Sequence, residues 1–373
     1  MSLSAAPSTR HYLDHASTSP ARPEVIEAML PWLAGAADPG RVHTEGRLAR
    51  AAIETGRNQV AALLGCRSRE VIFTSGATEA ITAAVWGAAE RGDHIVSSPV
   101  EHSAVREASA RHDVTEVGVD SLGRVDPAEV AAALRPGRTV LVHVQLGNHE
   151  VGTLQPVADV VARCHESGVL VHVDAAAAVG HVPIDFGSLG ADLMSVSAHK
   201  FGGPQGTGAL VVRRGLRLRP LLVGGEQERA RRAGMENVAG VVGFGAAAET
   251  VDVADESSRE RAQTARALTA ALEVDGVVSY GDVENRLPHL VCLGVDGVEA
   301  EAVLLGLDQA GIAAHSGSAC SSESLQPSPV LEAMGVEAER SLRVSVGWST
   351  TDADVDAFTG AFPTVVNRLR QLR

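Results

Sequence analysis

From about Val71 to Val212, short β-branched runs alternate with alanine-rich stretches that repeat apolar residues at helical spacing. The runs predict strands at Val71–Thr74, His94–Ser97, Thr139–Gln145, Val169–Val173, Leu193–Val196 and Gly208–Arg213. Between them the spacing predicts helices over Glu79–Glu90, Ser103–Arg111 and Val157–Ser167. These connections are long enough to return the chain for parallel pairing, so the segment reads as successive β-α units around a mostly parallel sheet.

Beyond this segment the pattern changes. A polar, charged stretch at Asp252–Arg266 leads into another helix, after which short strands (Leu290–Leu293, Arg343–Val346) alternate with helices (Ala300–Ala310, Ser328–Met334). The expectation is an α/β protein with a large domain over residues 15–253 and a smaller α/β domain made of residues 1–14 and 254–373. No internal repeat or low-complexity segment interrupts it beyond the richness in alanine.

Composition fits this picture: 373 residues, 45% hydrophobic, 21% charged, 38 glycines and only 3% aromatics, so the core is aliphatic. The formal charge of −14 argues against a nucleic-acid binder, which requires clustered cations. No segment offers the roughly 20 consecutive apolar residues of a membrane helix, and Met1–Arg10 lacks a signal pattern, so a cytoplasmic protein is expected. Cys66, Cys164, Cys292 and Cys320 are far apart, with no Cys-x-x-Cys or Cys/His ligand spacing. Neither a disulfide framework nor a metal site is expected, and any important thiol acts alone.

Three strand ends carry candidate chemistry. Lys200 follows an apolar strand and precedes the Gly-rich turn Phe201-Gly-Gly-Pro-Gln-Gly-Thr-Gly208. A lysine confined there has its ammonium pKa lowered and becomes a nucleophile suited to Schiff-base formation; read alone, it better fits a side chain whose head reaches solvent. Asp174 ends the run Val169-Leu-Val-His-Val-Asp174, where a buried carboxylate needs a cationic partner or else caps the next helix. Thr74-Ser-Gly-Ala-Thr-Glu79 joins a strand to a helix and can turn backbone N–H groups and the Thr78 hydroxyl toward an anion. It has neither the ending of a nucleotide P-loop nor the three-glycine dinucleotide fingerprint.

In order along the chain, Tyr12-Leu-Asp-His-Ala-Ser-Thr-Ser-Pro20, Thr74–Glu79, Glu101-His102, Asn148-His-Glu-Val-Gly152, His172-Val-Asp174 and Ser197-Ala-His-Lys200 are followed by Gly224-Gly-Glu-Gln-Glu-Arg229, Arg232-Ala-Gly-Met-Glu-Asn-Val238, Ser316-Gly-Ser-Ala-Cys320 and Ser341-Leu-Arg343. Nearly end to end, this series resembles the cysteine desulfurases of the class V aminotransferase family, fold type I enzymes that use pyridoxal 5'-phosphate. The resemblance implies that Lys200 bonds the cofactor, Asp174 pairs with its ring nitrogen, and His102 stacks on the ring and assists proton transfer. It places Ala77, Thr78, Ser197 and His199 at the phosphate, and Arg343 on the substrate carboxylate, where a guanidinium forms two parallel bonds that lysine cannot reproduce. Singly, Arg343 reads as a surface ion pair and His102 as a hydrogen-bonded core histidine.

Cys320 lies in the Gly/Ser-rich stretch His315-Ser-Gly-Ser-Ala-Cys-Ser-Ser-Glu-Ser-Leu-Gln-Pro327, whose composition favours a loop. By resemblance it receives sulfur from L-cysteine as a persulfide and passes it to a protein acceptor, such as an iron-sulfur cluster scaffold or a thiolation enzyme, while alanine leaves. Its other reading is an incidental exposed thiol; Cys66, Cys164 and Cys292 read as packing residues. The resemblance also implies a homodimer.

Three positions depart from the family pattern: Ala177 stands where Gln is common, His149 where Asn is common, and Met235 where a Thr usually reaches the phosphate held by the partner subunit. His149 and the missing Gln both concern the cofactor's phenolic oxygen. Two other readings remain at this point, a C–S lyase or selenocysteine lyase on another amino acid, and a degenerate member serving as a sulfur-transfer scaffold.

Overall fold

The computed structural model of the protein describes residues 10–36, 38–316 and 327–372. After β1 (His11–Tyr12), seven strands form the main sheet: β2 (Val71–Thr74), β3 (His94–Ser97), β4 (Asp113–Glu116), β5 (Thr139–Gln145), β6 (Leu170–Asp174), β7 (Leu193–Ser197) and β8 (Gly208–Val212). Their spatial order is β2-β8-β7-β6-β5-β3-β4. Strands β3 to β7 pair in parallel, and β8 alone runs against both of its neighbours.

Every residue of β5, β6, β7 and β8 is buried, as expected for strands covered by helices on both faces and written as continuous apolar runs. The edge strand β4, Asp-Val-Thr-Glu, is partly exposed along its whole length. It has no apolar run, which is why hydrophobic patterning misses it.

A second layer follows with β9 (Val277–Tyr280), β10 (Leu290–Val295), β11 (Ile312–Ala313) and β12 (Ser341–Ser345). Strands β9, β10 and β12 form an antiparallel sheet, and β11 pairs in parallel with β1. Leu13, Val291, Leu293, Val344, Phe358 and Phe362 share a core here that is separate from the one under the main sheet. The Leu13 carbonyl accepts the Ser345 N–H (2.9 Å), and the Ala16 N–H donates to the Ser345 hydroxyl (2.9 Å). Those bonds carry the N-terminal segment alongside β12 and up to the main sheet.

The stretch Asp252–Arg266 corrects the expectation that it merely leads into a helix. It is itself most of one, Val253–Leu272, with the Asp252 side chain accepting the Asp255 N–H as N-cap. Its buried face includes Glu256, Glu260, Gln263 and Thr264, so apolar periodicity does not register it.

Candidate active site

The carboxyl ends of the parallel strands open onto a cavity of about 1310 Å³, the place where ligands bind in open α/β sheets. Ala77, Thr78, His102, His149, Asp174, Ser197, His199, Lys200 and Arg343 all line it. Cys320 lies outside the described residues; its neighbours in the chain, Ser316 and Pro327, both line the cavity.

The anion turn follows β2. Gly76 is the N-cap of the helix Ala77–Ala88 with φ 154° and ψ 179°, a region open in practice only to glycine. A Cβ there would meet nothing within 4 Å, so the turn faces open space. The first intrahelical bond from this turn is Ala80 N–H to Gly76 O (3.2 Å), which leaves the N–H groups of the first turn directed at the cavity. Glu79 holds the turn from behind: it accepts the Ser75 N–H (2.8 Å) and pairs with Arg232 (2.9 Å).

Asp174 ends β6 and is 8% exposed. Its Oδ1 accepts both the Ser195 hydroxyl (2.9 Å) and the Ala176 N–H (3.0 Å). The turn-capping bond is therefore present, and it uses the same oxygen as the serine. Behind it, Glu101 is wholly enclosed: Oε1 accepts the Gln145 N–H (2.7 Å) and Oε2 has no hydrogen-bond partner among the described residues. Burial, and next the nearby Asp174, push the Glu101 carboxyl up to about 8. In the sequence Glu101 stands out only as part of a motif; an acid preceding a histidine gives no sign that it will be buried beside another carboxylate.

Lys200 does not run out to solvent. It ends a 3-10 turn after β7, and its Nζ donates to the carbonyls of Ala16 (2.6 Å) and Ser17 (3.1 Å). Next to it, the His199 Nδ1 lies 3.1 Å from the Thr18 hydroxyl. Burial, then the Lys200 charge, lower His199 to about 4, so this ring is neutral near pH 7.

His102 caps the helix Ser103–Ser109, its Nδ1 accepting the Ala104 N–H (3.1 Å). With Nδ1 an acceptor, the neutral ring carries its proton on Nε2. Its edge meets His149 at a ring separation of 5.1 Å. Both the capping bond and the cavity position replace the reading of His102 as a core histidine.

Arg343 is no surface ion pair, being 4% exposed on β12. Its Nη1 donates to the His149 carbonyl (2.7 Å), and its Nη2 to Ser17 Oγ (2.7 Å) and Asp14 Oδ1 (3.0 Å). Asp14, Ser17 and Ser195 were not expected from sequence. Of the departing positions, His149 and Ala177 line the cavity, while Met235 is 65% exposed and outside it.

None of the three described cysteines lines this cavity, although Cys292 sits opposite Arg343 in the β10–β12 pairing. Cys164 and Cys292 are fully buried and Cys66 is half-buried; burial pushes the Cys66 and Cys164 thiols up to about 12 and that of Cys292 higher still.

The profile of the family described as Aminotransferase class-V matches residues 11–358. The chain is 39% identical over 377 positions to the cysteine desulfurase IscS of Dictyoglomus turgidum, covering 97% of this chain and 95% of that one. It is 41% identical to a cysteine desulfurase of Nostoc sp., covering 97% and 94%. Among solved structures, a NifS-like protein from Rickettsia africae matches with a TM-score of 0.89 at 29% identity, over 96% of this chain and 99% of that chain. SspA in complex with cysteine matches with a TM-score of 0.81 at 30% identity, over 90% and 98%. With its mixed, mostly parallel sheet and a lysine, an aspartate and an anion turn at the strand ends, the chain belongs to the class V aminotransferase family.

Proposed function

We propose that this protein is a cysteine desulfurase that binds pyridoxal phosphate and converts L-cysteine to L-alanine, with the sulfur passing to Cys320. The observation that carries the reading is the meeting of Lys200, Asp174, the Gly76–Thr78 turn and Arg343 in one cavity.

The residues fit the cofactor. The open turn before Ala77–Ala88, with the Thr78 hydroxyl, Ser197 and His199, suits a phosphate, and Asp174 suits a protonated ring nitrogen. Lys200 would supply the amine, and His102 and His149, in edge contact with each other on the cavity wall, would lie against the ring. When bound, the cofactor acts as an electron sink that weakens bonds at the substrate's Cα and Cβ.

The protein's own groups account for the rest. Arg343 binds the substrate carboxylate by exchanging its bonds to Ser17 and Asp14 for two parallel ones. Lys200, drawn off the Ala16 and Ser17 carbonyls, moves the proton at Cα. His102 holds a proton on Nε2 at the cavity wall. The Cys320 thiolate attacks the substrate sulfur; the sulfur stays on Cys320 as a persulfide, the C–S bond is replaced by C–H, and L-alanine leaves. Cysteine as substrate is supported by the likeness to SspA, a protein solved with cysteine bound. The proposal includes a homodimer, for which the exposed Met235 offers a surface position, and a protein that accepts the sulfur.

The test is product analysis with L-cysteine. Alanine and sulfur in equal amounts, and loss of persulfide in Cys320→Ala, are expected. Pyruvate and ammonia as products, or sulfide release at the wild-type rate by Cys320→Ala, would overturn the reading.

A further inference from the structure

Behind Lys200, away from the cavity, His181, Glu260 and His289 come together, each less than 3% exposed. They derive from three places: the turn after β6, the helix Val253–Leu272, and the residue just before β10. His181 and His289 are stacked with ring centroids 3.6 Å apart and planes 16° from parallel. Two rings stacked this way cannot both aim an in-plane lone pair at one ion, so the group does not have the geometry of a metal centre.

What it does have is one imidazole facing two acceptors. His181 Nδ1 lies 3.0 Å from both oxygens of Glu260, and Nε2 lies 3.3 Å from the Lys200 main-chain oxygen. A carbonyl cannot donate, so Nε2 carries a proton. At Nδ1 either the ring holds a second proton or Glu260 is protonated and donates. In both arrangements the pair retains one proton more than a neutral imidazole beside a carboxylate.

We infer that His181 and Glu260 are a positioning pair for Lys200: Nε2–H anchors the Lys200 carbonyl, and the proton shared at Nδ1 fixes the ring that does so. The inference rests on the reading of Lys200 as the cofactor lysine. It explains a buried carboxylate on a helix that otherwise belongs to the second layer. Lys200 is then held at both ends, with Nζ on the N-terminal segment and its carbonyl on His181. The charged and titratable groups facing the pair are His289, His15 and Lys200, with Glu256 and Arg259 on the helix of Glu260.

The experiment uses the holoenzyme and its His181→Ala and His181→Gln variants. It reads the pH midpoint of the visible absorption band of bound pyridoxal phosphate, and the rate at which the cofactor is lost to a carbonyl scavenger. His181→Ala removes the N–H donor and strands Glu260, both of which favour the protonated lysine. The midpoint is expected to rise by about half a unit, and cofactor loss to quicken about fivefold, the value of one hydrogen bond. Glutamine can donate to the same carbonyl, so His181→Gln is expected to recover most of both. An alanine variant that is folded by circular dichroism, with wild-type midpoint and loss rate, overturns the inference. Should the alanine variant not fold, the imidazole nitrogen resonances of the wild type decide: an unprotonated His181 Nε2 near pH 7 overturns it, and a protonated one slow to exchange supports it. Wild-type protein that binds no pyridoxal phosphate would instead sink the proposed function.

Discussion

Asp14 Oδ1 lies 3.0 Å from Arg343 Nη2, so the guanidinium assigned to the substrate carboxylate is already engaged by a carboxylate of the protein. Ser17 Oγ shares the same nitrogen at 2.7 Å. Substrate therefore competes with groups of the N-terminal segment, the one that also holds Lys200 Nζ through Ala16 and Ser17. Arg343→Lys loses the paired geometry, and its KM for L-cysteine is expected to rise roughly tenfold or more, with a smaller change in kcat. Steady-state kinetics check this; an unchanged KM would place the carboxylate elsewhere.

Gly208 sits between the ends of β2 and β7, in register with Thr74 and Ser197. A Cβ there would come within 2.6 Å of the Val196 carbonyl oxygen and 2.7 Å of Gly76 Cα. Gly208→Ala must push the anion turn away from the sheet. A loss of about 1–3 kcal/mol is expected from overpacking, accompanied by weaker retention of pyridoxal phosphate. Denaturant unfolding and cofactor titration measure the two effects.

Acid should destabilise the fold. His143 Nδ1 and His172 Nδ1 lie 3.0 Å apart in the main sheet, and both Nε2 atoms lack hydrogen-bond partners among the described residues. Burial lowers His143 to about 3, and burial, then the neighbouring His143, lowers His172 well below its ordinary value; His15 and His199 are held near 4. All four lie below the ordinary value of 6.5. The unfolded chain thus binds more protons once the pH falls below 6.5, and stability is lost in that direction. Glu101, raised to about 8, and Glu260, also raised by burial, act oppositely, but they are two groups against six, since burial lowers His94 and His289 as well. Melting temperatures should fall between pH 6.5 and 4.5. In His143→Gln the slope should be shallower, by at most about 1.4 kcal/mol per pH unit. A flat profile would contradict the assignment of neutral buried rings.

Thiol chemistry separates Cys320 from the others. Cys66 and Cys164 are held up to about 12 by burial, and Cys292 beyond that, so little thiolate exists at any of the three near neutral pH. Native Cys320→Ala should react slowly with an aromatic disulfide at pH 7.5 and release three equivalents of thiol only on unfolding. Rapid labelling of the native variant would mean that one of the three is reachable and must be weighed as a sulfur carrier.

The order of apolar and polar residues was enough for six of the seven strands of the main sheet and for three of the helices between them, because strands buried on both faces must be written as unbroken apolar runs. The sequence also singled out Lys200, Asp174, Thr78, His102, His149 and Arg343 as candidates, all of which line one cavity, since local chemistry at strand ends and a motif series are both properties of the chain. What these residues touch depends on the folded chain. Asp14 meets Arg343 across 329 positions of sequence, and Glu260 reaches His181 across 79; neither separation leaves a periodic trace. Strand β4 and the helix Val253–Leu272 escaped for a related reason. An edge strand and a helix with a polar buried face obtain their stability from partners supplied elsewhere in the fold, and hydrophobic patterning records a segment's own apolar surface rather than the partners that will cover its polar groups.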